Sequence, residues 1–597
     1  VVDAMFIPNY LMRNAQEYAN EPALSWKDSA GEWETDSWSD LAAFSMDIAK
    51  SLISLGYEAG ENLSIYSYNR REWYGAYAAA QMAGGAAVGV YHTCSPDEVE
   101  WVVGDSQSKF VFVGHNPMDG DDTGKMPVHR LHAALANLPN VEHVIVFDDV
   151  EVLDHPKMMS WSEFYSMGNA LDDSVLHGRI EALSADDTCS LIYTSGTTGN
   201  PKGVELTHGN FEFELGATSE IFDFKQGERY VSWLPLAHVF GQLVDTGYCV
   251  RQAMHLHIVD SPVHAVDYAK EVQPHLFIGV PRIYEKIYSN VKAALDAKAI
   301  LRILLKIPVI SGKIKGKLKA KIGFAENRFS ITGAAPINPD ILTLFHSLGI
   351  PIFEGYGMTE DTAGATLNYA GNNKIGTVGK PFPGTEMSVA ADGELLIRGP
   401  HVMKGYYRNP EATADTIDSD GWLHTGDVGS IDSDGYVKIT GRKKEIYVSS
   451  GGKNIAPLVI EETFKVIPII SQCFLVGDGR KYCSALFTLD ASVILRDKLG
   501  MDPNDIPKDP AKQFAMLDEL GHPFSDYTGS AEVRAEVQAA VDELNQKFSN
   551  PEQLKKFAIL PRDFTVDDGE LTPTVKIRRK QINENWADVI EAMYADA

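Results

Sequence analysis

An α/β architecture, with large mixed sheets covered by helices and a smaller α+β region after them, is predicted by three observations. Strand-like apolar runs alternate with amphipathic stretches along most of the chain, the alternation gives way to short β runs from Gly384 to Ile439, and the charge-dense string GRKKE then interrupts the pattern. In order, ENLSIYS, VGVYHT and KFVFVG are apolar runs of strand length, and REWYGAYAAAQMAGGAA and PDEVEWVVGDSQ between them are helical, which is βαβ rhythm. LIYT, YVSWLPL, HLFIGV, RFSITGAA and GIPIFEGYG continue it. GTEMSVAADGELLIRGPHV and GSIDSDGYVKIT carry Asp-Gly turns between β runs, the mark of antiparallel hairpins and of a β-barrel-like subdomain. The chain therefore divides into residues 1–440, a boundary at 441–444, and residues 445–597. Within the last part, Ala491 to Asn550 is polar, helix-prone and rich in Asp, Lys and Pro, and reads as an insertion or as loosely packed helices. No internal repeat is visible.

A length of 597 residues with 44% hydrophobic content exceeds one core, so at least two domains are expected. The net charge of −29 repels nucleic acid over most of the surface, so no nucleic-acid partner is expected. Five cysteines, odd in number and without a CxxC pair, disfavour a disulfide framework and a zinc site and fit a reducing cytosol. No run approaches the ~20 apolar residues of a membrane span, and Pro8, Asn9 and Asn14 break the apolar start, which does not read as a signal peptide. A cytoplasmic protein is expected, with one opening toward a membrane surface. The segment 300–324 carries Arg302, Lys306, Lys313, Lys315, Lys317, Lys319 and Lys321 and no acid. Its lysines could meet anionic headgroups while Ile and Leu enter the lipid interface, or they could neutralise the chain's own acidic surface. Pro308 and Gly312 are expected to interrupt any continuous helix there. Oligomeric state is not legible.

The string YTSGTTGNPKG, from Tyr193 to Gly203, has the composition of a phosphate-handling loop. Ser195, Thr197 and Thr198 offer hydroxyls, Gly196 and Gly199 let backbone N–H groups face an anion, and Lys202 supplies a mobile positive charge. It is not the P-loop, because Pro201 precedes the lysine and Gly203 follows it. An ordinary Gly-rich hairpin would explain a lone GTTG but not the whole string.

Other motifs turn the loop into a site. Gly333, Ala334 and Ala335 follow one strand, and Glu354, Gly355, Tyr356 and Gly357 end another, so small residues let a flat base approach the backbone while Tyr356 could stack on it. Glu360 in GYGMTE is a hard oxygen ligand suited to Mg²⁺ bridging phosphates. Asp427 in WLHTGDVG can accept both hydroxyls of a ribose, or simply form an Asx-turn. Arg442 stands at the boundary, and LTPTVKIRRK offers Lys576 in a cationic stretch.

In this order the motifs resemble the acyl-adenylate-forming superfamily: acyl-CoA synthetases, luciferases and the adenylation domains of peptide synthetases. The resemblance covers essentially the whole chain. It implies a large N-terminal domain, a mobile C-terminal lid that rotates about a hinge, and two half-reactions at their interface. By position, Gly333 to Ala335 and Glu354 to Tyr356 would hold adenine, Asp427 the ribose, Thr359 and the loop from Ser195 to Lys202 the phosphates, and Glu360 with Thr194 a magnesium ion. Lys576 would be the adenylation lysine and Lys444 the hinge. Many relatives have Gly before that lysine, where this chain has Val575. In VSSGGKNIAP, Gly451, Gly452 and Lys453 would receive the pantetheine arm of coenzyme A.

The chemistry implied is charge management. A carboxylate is already a nucleophile, so adenylation needs the repulsion from ATP screened and an in-line geometry held by Lys576, Glu360, Thr198 and Lys202. FIGVPRIYEKIY and LPLAHVFGQ look like the long-chain and bubblegum-type fatty acyl-CoA synthetases, which places His238, Val239, Phe240 and Gly279 near a fatty acyl chain. A lone His after a strand is also a common structural residue. Medium-chain or aryl acid ligases, a carrier-protein-loading acyl-AMP ligase and a non-catalytic adenylate-binding module are the alternatives, and the lysine-rich segment could also line the coenzyme A entrance.

Overall fold

The computed structural model describes residues 5–115, 126–194, 200–296, 308–448, 454–503, 505–572 and 576–595. Two sheets organise the chain up to the boundary. One runs, from edge to edge, Lys380–Pro381, Thr366–Leu367, Ile352–Tyr356, Phe329–Thr332, Leu276–Gly279, Arg229–Ser232, His255–Ile258, Pro22–Lys27 and Trp33–Ser37. The other runs Gly405–Tyr406, Lys202–Thr207, Thr188–Thr194, Ala86–Val90, Asn62–Tyr66, Phe110–Val113, His143–Val146 and Met158–Ser160. The interior strands pair mostly in parallel, and antiparallel pairs close three of the four edges, the fourth being Met158–Ser160, which pairs in parallel with His143–Val146. Parallel strands are buried on both faces, which is why they stood out as continuous apolar runs.

Helix Arg71–Met82 lies between the two sheets, and every residue from Trp73 to Met82 is buried. A helix buried all round needs small side chains, and this one supplies AYAAA. A Cβ on its Gly75 would come within 2.6 Å of Phe44 Cε1, so helix Trp38–Ser54 presses directly on it. Tyr74 reaches Ser232 of the first sheet, with their hydroxyls 2.6 Å apart.

A π-helical segment, Gln242–Tyr248, carries the fully buried Asp245. Its Oδ2 accepts from Tyr74 Oη at 3.1 Å and from Ser232 Oγ, while its Oδ1 has no partner among the described residues. Burial pushes the carboxyl from the ordinary 3.8 up to about 7. An acid whose folded pKa is raised stabilises least at high pH: unfolded chains ionise from about 3.8 and folded ones only near 7, so the penalty grows across that window. Asp245→Asn should therefore gain thermal stability relative to the parent as pH rises through this range. Parallel melting curves against pH, with no growing gap, would contradict it.

Four strands, Glu386–Val389, Glu394–Arg398, Leu423–Ile431 and Val437–Arg442, form the antiparallel hairpins expected from the Asp-Gly turns, but as an open sheet and not a closed barrel among the described residues. Gly393 and Gly435 sit in those turns at φ of 86° and 85°. Their register sets Asp427 opposite Arg442.

A 3₁₀ turn, Lys443–Glu445, leads out of this sheet. The three-stranded sheet beyond it, Ile470–Val476, Cys483–Leu489 and Leu554–Ile559, has its own apolar clusters, which begin at Tyr447. The other clusters end before residue 441. Residues 491–550 do not hang loosely: Leu517, Val533, Val537 and Val541 are buried in that second core. Their valines recur every four residues on helix Ala531–Leu544, an apolar stripe hidden by polar neighbours in the sequence. The two parts meet through Arg282, which donates to Ser471 O at 3.3 Å, Ser471 Oγ at 3.0 Å and Asp490 Oδ2 at 3.2 Å.

The basic segment departs from expectation at Gly312, which is carried inside helix Pro308–Lys321, while Pro308 stands at that helix's first residue. Proline at a first helical position lacks only a donor that would be unpaired anyway. Leu318 and Ile322 pack against the core around Phe277 and Phe345. Residues 300–307 lie outside the described residues. All five cysteines are free and buried, and no helix among the described residues is long and apolar enough to cross a membrane.

Candidate active site

A cavity of about 1160 Å³ opens between the two parts and takes its walls from both. Its phosphate-loop edge is a hairpin. Thr188–Thr194 and Lys202–Thr207 pair so that Thr194 faces Lys202, and the loop emerges between them. Ser195, Gly196, Thr197, Thr198 and Gly199 lie outside the described residues. The stem is held by Trp101 Nε1, which donates to Pro201 O at 2.8 Å, and by Tyr193 Oη, which donates to Asp105 Oδ2 at 2.7 Å.

Lys202 Nζ sits 4.7 Å from the centre of the Tyr406 ring, and Tyr406 Oη donates to Glu360 Oε1 at 2.8 Å. Tyr406 comes from the edge strand that pairs with the lysine's own strand, facing Val204. One aromatic side chain thus supports the cation and orients the carboxylate. Sequence reasoning missed Tyr406, as it missed Trp101 and Asp105. The string GYYRNP gave no chemical signal beyond two adjacent tyrosines. Glu360 is buried and takes part in no ion pair among the described residues. Thr359 is buried beside it in the turn Thr359–Asp361.

Strands Phe329–Thr332 and Ile352–Tyr356 are parallel neighbours, so their C-terminal loops bring Gly333, Ala334 and Ala335 beside Glu354, Gly355 and Tyr356 on the cavity wall. A Cβ on Gly333 would meet nothing nearer than the Gly355 carbonyl oxygen at 3.4 Å, which leaves a slot for a flat ring. Ala334 holds a left-handed φ of 67°, a strained backbone kept at the cavity wall. At Gly357 a Cβ would lie 2.1 Å from the Ala363 carbonyl oxygen, so no larger residue fits. Glu354 is buried, and burial pushes its carboxyl up to about 8.

Tyr356 Oη donates to Asp427 Oδ2 at 2.6 Å, and Arg442 Nε lies 3.4 Å from Asp427 Oδ1. Burial raises the Asp427 carboxyl above the usual carboxylate range, while Arg442, Tyr356 and Lys576 pull it back. Lys576 keeps an exposed side chain yet projects into the cleft. Its pKa is lowered first by desolvation among the walls and then by Arg442, against the pull of Asp427 and Glu360. The structure therefore brings Thr194, Lys202, Glu360, Asp427, Arg442 and Lys576 to one cavity.

Val239 and Phe240 line the same cavity. His238 caps their short helix, its Nδ1 accepting from Phe240 N at 3.2 Å. Burial, and then the charge of Lys576, lowers its pKa to about 3, so the ring is neutral. Gly279 is a correction: it is absent from the cavity wall, and a Cβ there would meet the Tyr284 ring at 3.0 Å. Side chains alternate along a strand, so Leu276 and Ile278 face the cavity and Phe277 and Gly279 face away.

Lys444 is exposed between two anchored neighbours. Lys443 Nζ pairs with Asp392 at 2.5 Å and Glu394 at 3.1 Å on the first part, while Glu445 pairs with Arg579 Nε at 3.1 Å on the second. Gly451, Gly452 and Lys453 lie outside the described residues.

Comparison with known proteins adds three kinds of finding. A family model described as AMP-binding enzyme matches residues 11–407. The chain is 33% identical to a long-chain-fatty-acid–CoA ligase, FadD15, of Mycobacterium bovis, covering 94% of this chain and 93% of that one. It is 32% identical to the ligase ACSBG2 of Gallus gallus, covering 97% and 80%. Among solved structures, the o-succinylbenzoate coenzyme A synthetase of Bacillus subtilis in complex with ATP and magnesium superposes with a TM-score of 0.68 at 21% identity, covering 96% of this chain and 99% of that one.

Proposed function

Because the chain belongs to the AMP-binding enzyme family, we propose that its cleft joins a fatty acid first to AMP and then to coenzyme A. The protein is a fatty acid–CoA ligase, and long-chain acids are its proposed substrates, as they are for relatives aligned along almost its full length. The observation that carries this reading is a cavity lined both by cationic and carboxylate side chains and by apolar ones, with Lys576 reaching in from the C-terminal part.

In the first half-reaction the substrate carboxylate attacks the α-phosphorus of ATP and pyrophosphate leaves. Lys576 screens the repulsion between the two anions, and its lowered pKa reflects a desolvated position in which its charge acts strongly. Asp427 takes the ribose, Gly333 to Ala335 and Glu354 to Tyr356 take the base, and Lys202, steadied by Tyr406, meets the phosphates. A magnesium ion fits the donor set, since Glu360 is a buried carboxylate without an ion-pair partner among the described residues and Thr194 adds a hydroxyl. Glu360 and Thr194 would hold it, and the ion would neutralise phosphate charge. In the second half-reaction the coenzyme A thiol attacks the acyl carbonyl and AMP leaves. Lys444 is the proposed pivot between them, because the side chains on either side of it are tied to different parts. The lysines of helix Pro308–Lys321 are assigned to the chain's own surface, given the packing of Leu318 and Ile322; salt-sensitive sedimentation with anionic vesicles would overturn that assignment.

A panel of carboxylic acids with ATP, read out by pyrophosphate release with and without coenzyme A, tests the reading. Long-chain acids should give the highest rates and require coenzyme A for multiple turnover. Faster use of medium-chain or aryl acids, transfer only to a carrier protein, or no pyrophosphate with any acid would displace it.

A further inference from the structure

Among the polar side chains that line the cavity beside its apolar walls and that the mechanism does not use, Glu214 stands apart. Glu214, on helix His208–Ile221, is 0% exposed, and neither of its carboxyl oxygens has a hydrogen-bond partner among the described residues. Burial, and then the nearby carboxyl of Asp361, holds it well above the ordinary glutamate range, so it stands as a neutral acid with an O–H donor and a carbonyl acceptor. Leaving such a group unmatched is costly, which is why buried polar groups are nearly always paired.

Its surroundings are those of a hydrocarbon channel. Phe222, Leu243, Val244 and Ile278 line the same cavity, and Thr218 follows Glu214 one helical turn on. The polar tip of Tyr248 on that wall is already engaged, donating to Phe222 O at 3.2 Å. A glycine makes room for the acid: a Cβ on Gly364 would lie 2.6 Å from Glu214 Oε2. An unsubstituted acyl chain filling this channel would exclude water and leave both carboxyl oxygens unmatched. A chain with an oxygen at that depth would satisfy them.

We propose, resting on the ligase reading above, that the preferred acid carries a hydroxyl or keto group along its hydrocarbon chain and that the Glu214 carboxyl is the residue that recognises it. Glu214 then sets specificity and takes no part in the transfer chemistry. A site built to bond a substrate oxygen discriminates against the analogue that lacks it, because its own polar group is left unpaired.

The test is a comparison of kcat/KM for hydroxylated and unsubstituted long-chain acids of equal length, with the hydroxyl moved along the chain, in the parent, Glu214→Gln and Glu214→Leu. The parent should favour one hydroxylated isomer by about 10-fold or more, Glu214→Gln should keep part of that preference, and Glu214→Leu should abolish it while retaining the unsubstituted acid. Without substrate, Glu214→Leu should also raise the thermal midpoint, since it removes an unmatched buried group. The proposal is overturned if the parent shows no preference for any hydroxylated isomer, if the preference survives in Glu214→Leu, or if that variant melts lower than the parent because the carboxyl has a structural partner. Turnover of unsubstituted acids without any hydroxyl preference would remove this proposal and leave the ligase reading standing. Absence of pyrophosphate release with every acid would remove both.

Discussion

Lys576→Ala should slow acid-dependent ATP–pyrophosphate exchange by ~100-fold or more, in line with the loss of one electrostatic stabiliser at a reacting centre. Thioester formation from preformed acyl-AMP should survive. The reasoning is positional. Lys576 lies in the cleft with Asp427 and Glu360, close enough for their charges to oppose the lowering of its pKa. It therefore reaches the region where two anions must meet, whereas attack of a thiol on a carbonyl has no such repulsion to screen. Because Lys576 is exposed as a residue and has no ion pair among the described residues, truncation should leave the melting temperature nearly unchanged, and a folding defect would be seen as loss in both assays. Equal loss of both half-reactions with unchanged stability would take Lys576 out of this role.

Lys444→Pro should give the reverse pattern: near-normal pyrophosphate exchange, with steady-state acyl-CoA formation reduced at least ~10-fold. Proline fixes φ near −65° and removes the freedom a pivot needs. The location is specific, because Lys443 is tied by Asp392 and Glu394 to one part and Glu445 by Arg579 to the other, so a rotation must be absorbed between them. Rapid-quench measurement should find acyl-AMP accumulating on the enzyme. Normal acyl-CoA turnover in Lys444→Pro would place the pivot elsewhere.

What could be read from the sequence was what local chemistry encodes. The βαβ strands were legible because a parallel strand buried on both faces is apolar throughout, and the antiparallel subdomain because Asp-Gly turns require positive φ, as at Gly393 and Gly435. Motif positions such as Glu360, Asp427 and Lys576 were legible because their neighbours in sequence resemble a known family. What stayed hidden was contact between distant segments. Tyr406 serves Glu360 and Lys202 only because an edge strand pairs back onto the phosphate-loop hairpin. Glu214 carries no signal in the sequence and is distinguished only by the burial that the fold imposes on it. Gly279 was misplaced by a single step of strand alternation, which a motif match does not resolve. The helices of residues 491–550 looked loose because a one-in-four valine stripe is diluted by the polar residues between.

The three bonds from Arg282 to Ser471 and Asp490 have a kinetic meaning under the proposed rotation. They exist in this orientation, so they must be surrendered before acyl-AMP can meet the thiol and rebuilt before the next ATP is used. Strengthening them would favour the first half-reaction and retard the second by the same margin. Throughput is then greatest at an intermediate grip, with neither orientation strongly preferred, and a partly exposed guanidinium bonded to one carbonyl, one hydroxyl and one carboxylate is a grip of that strength.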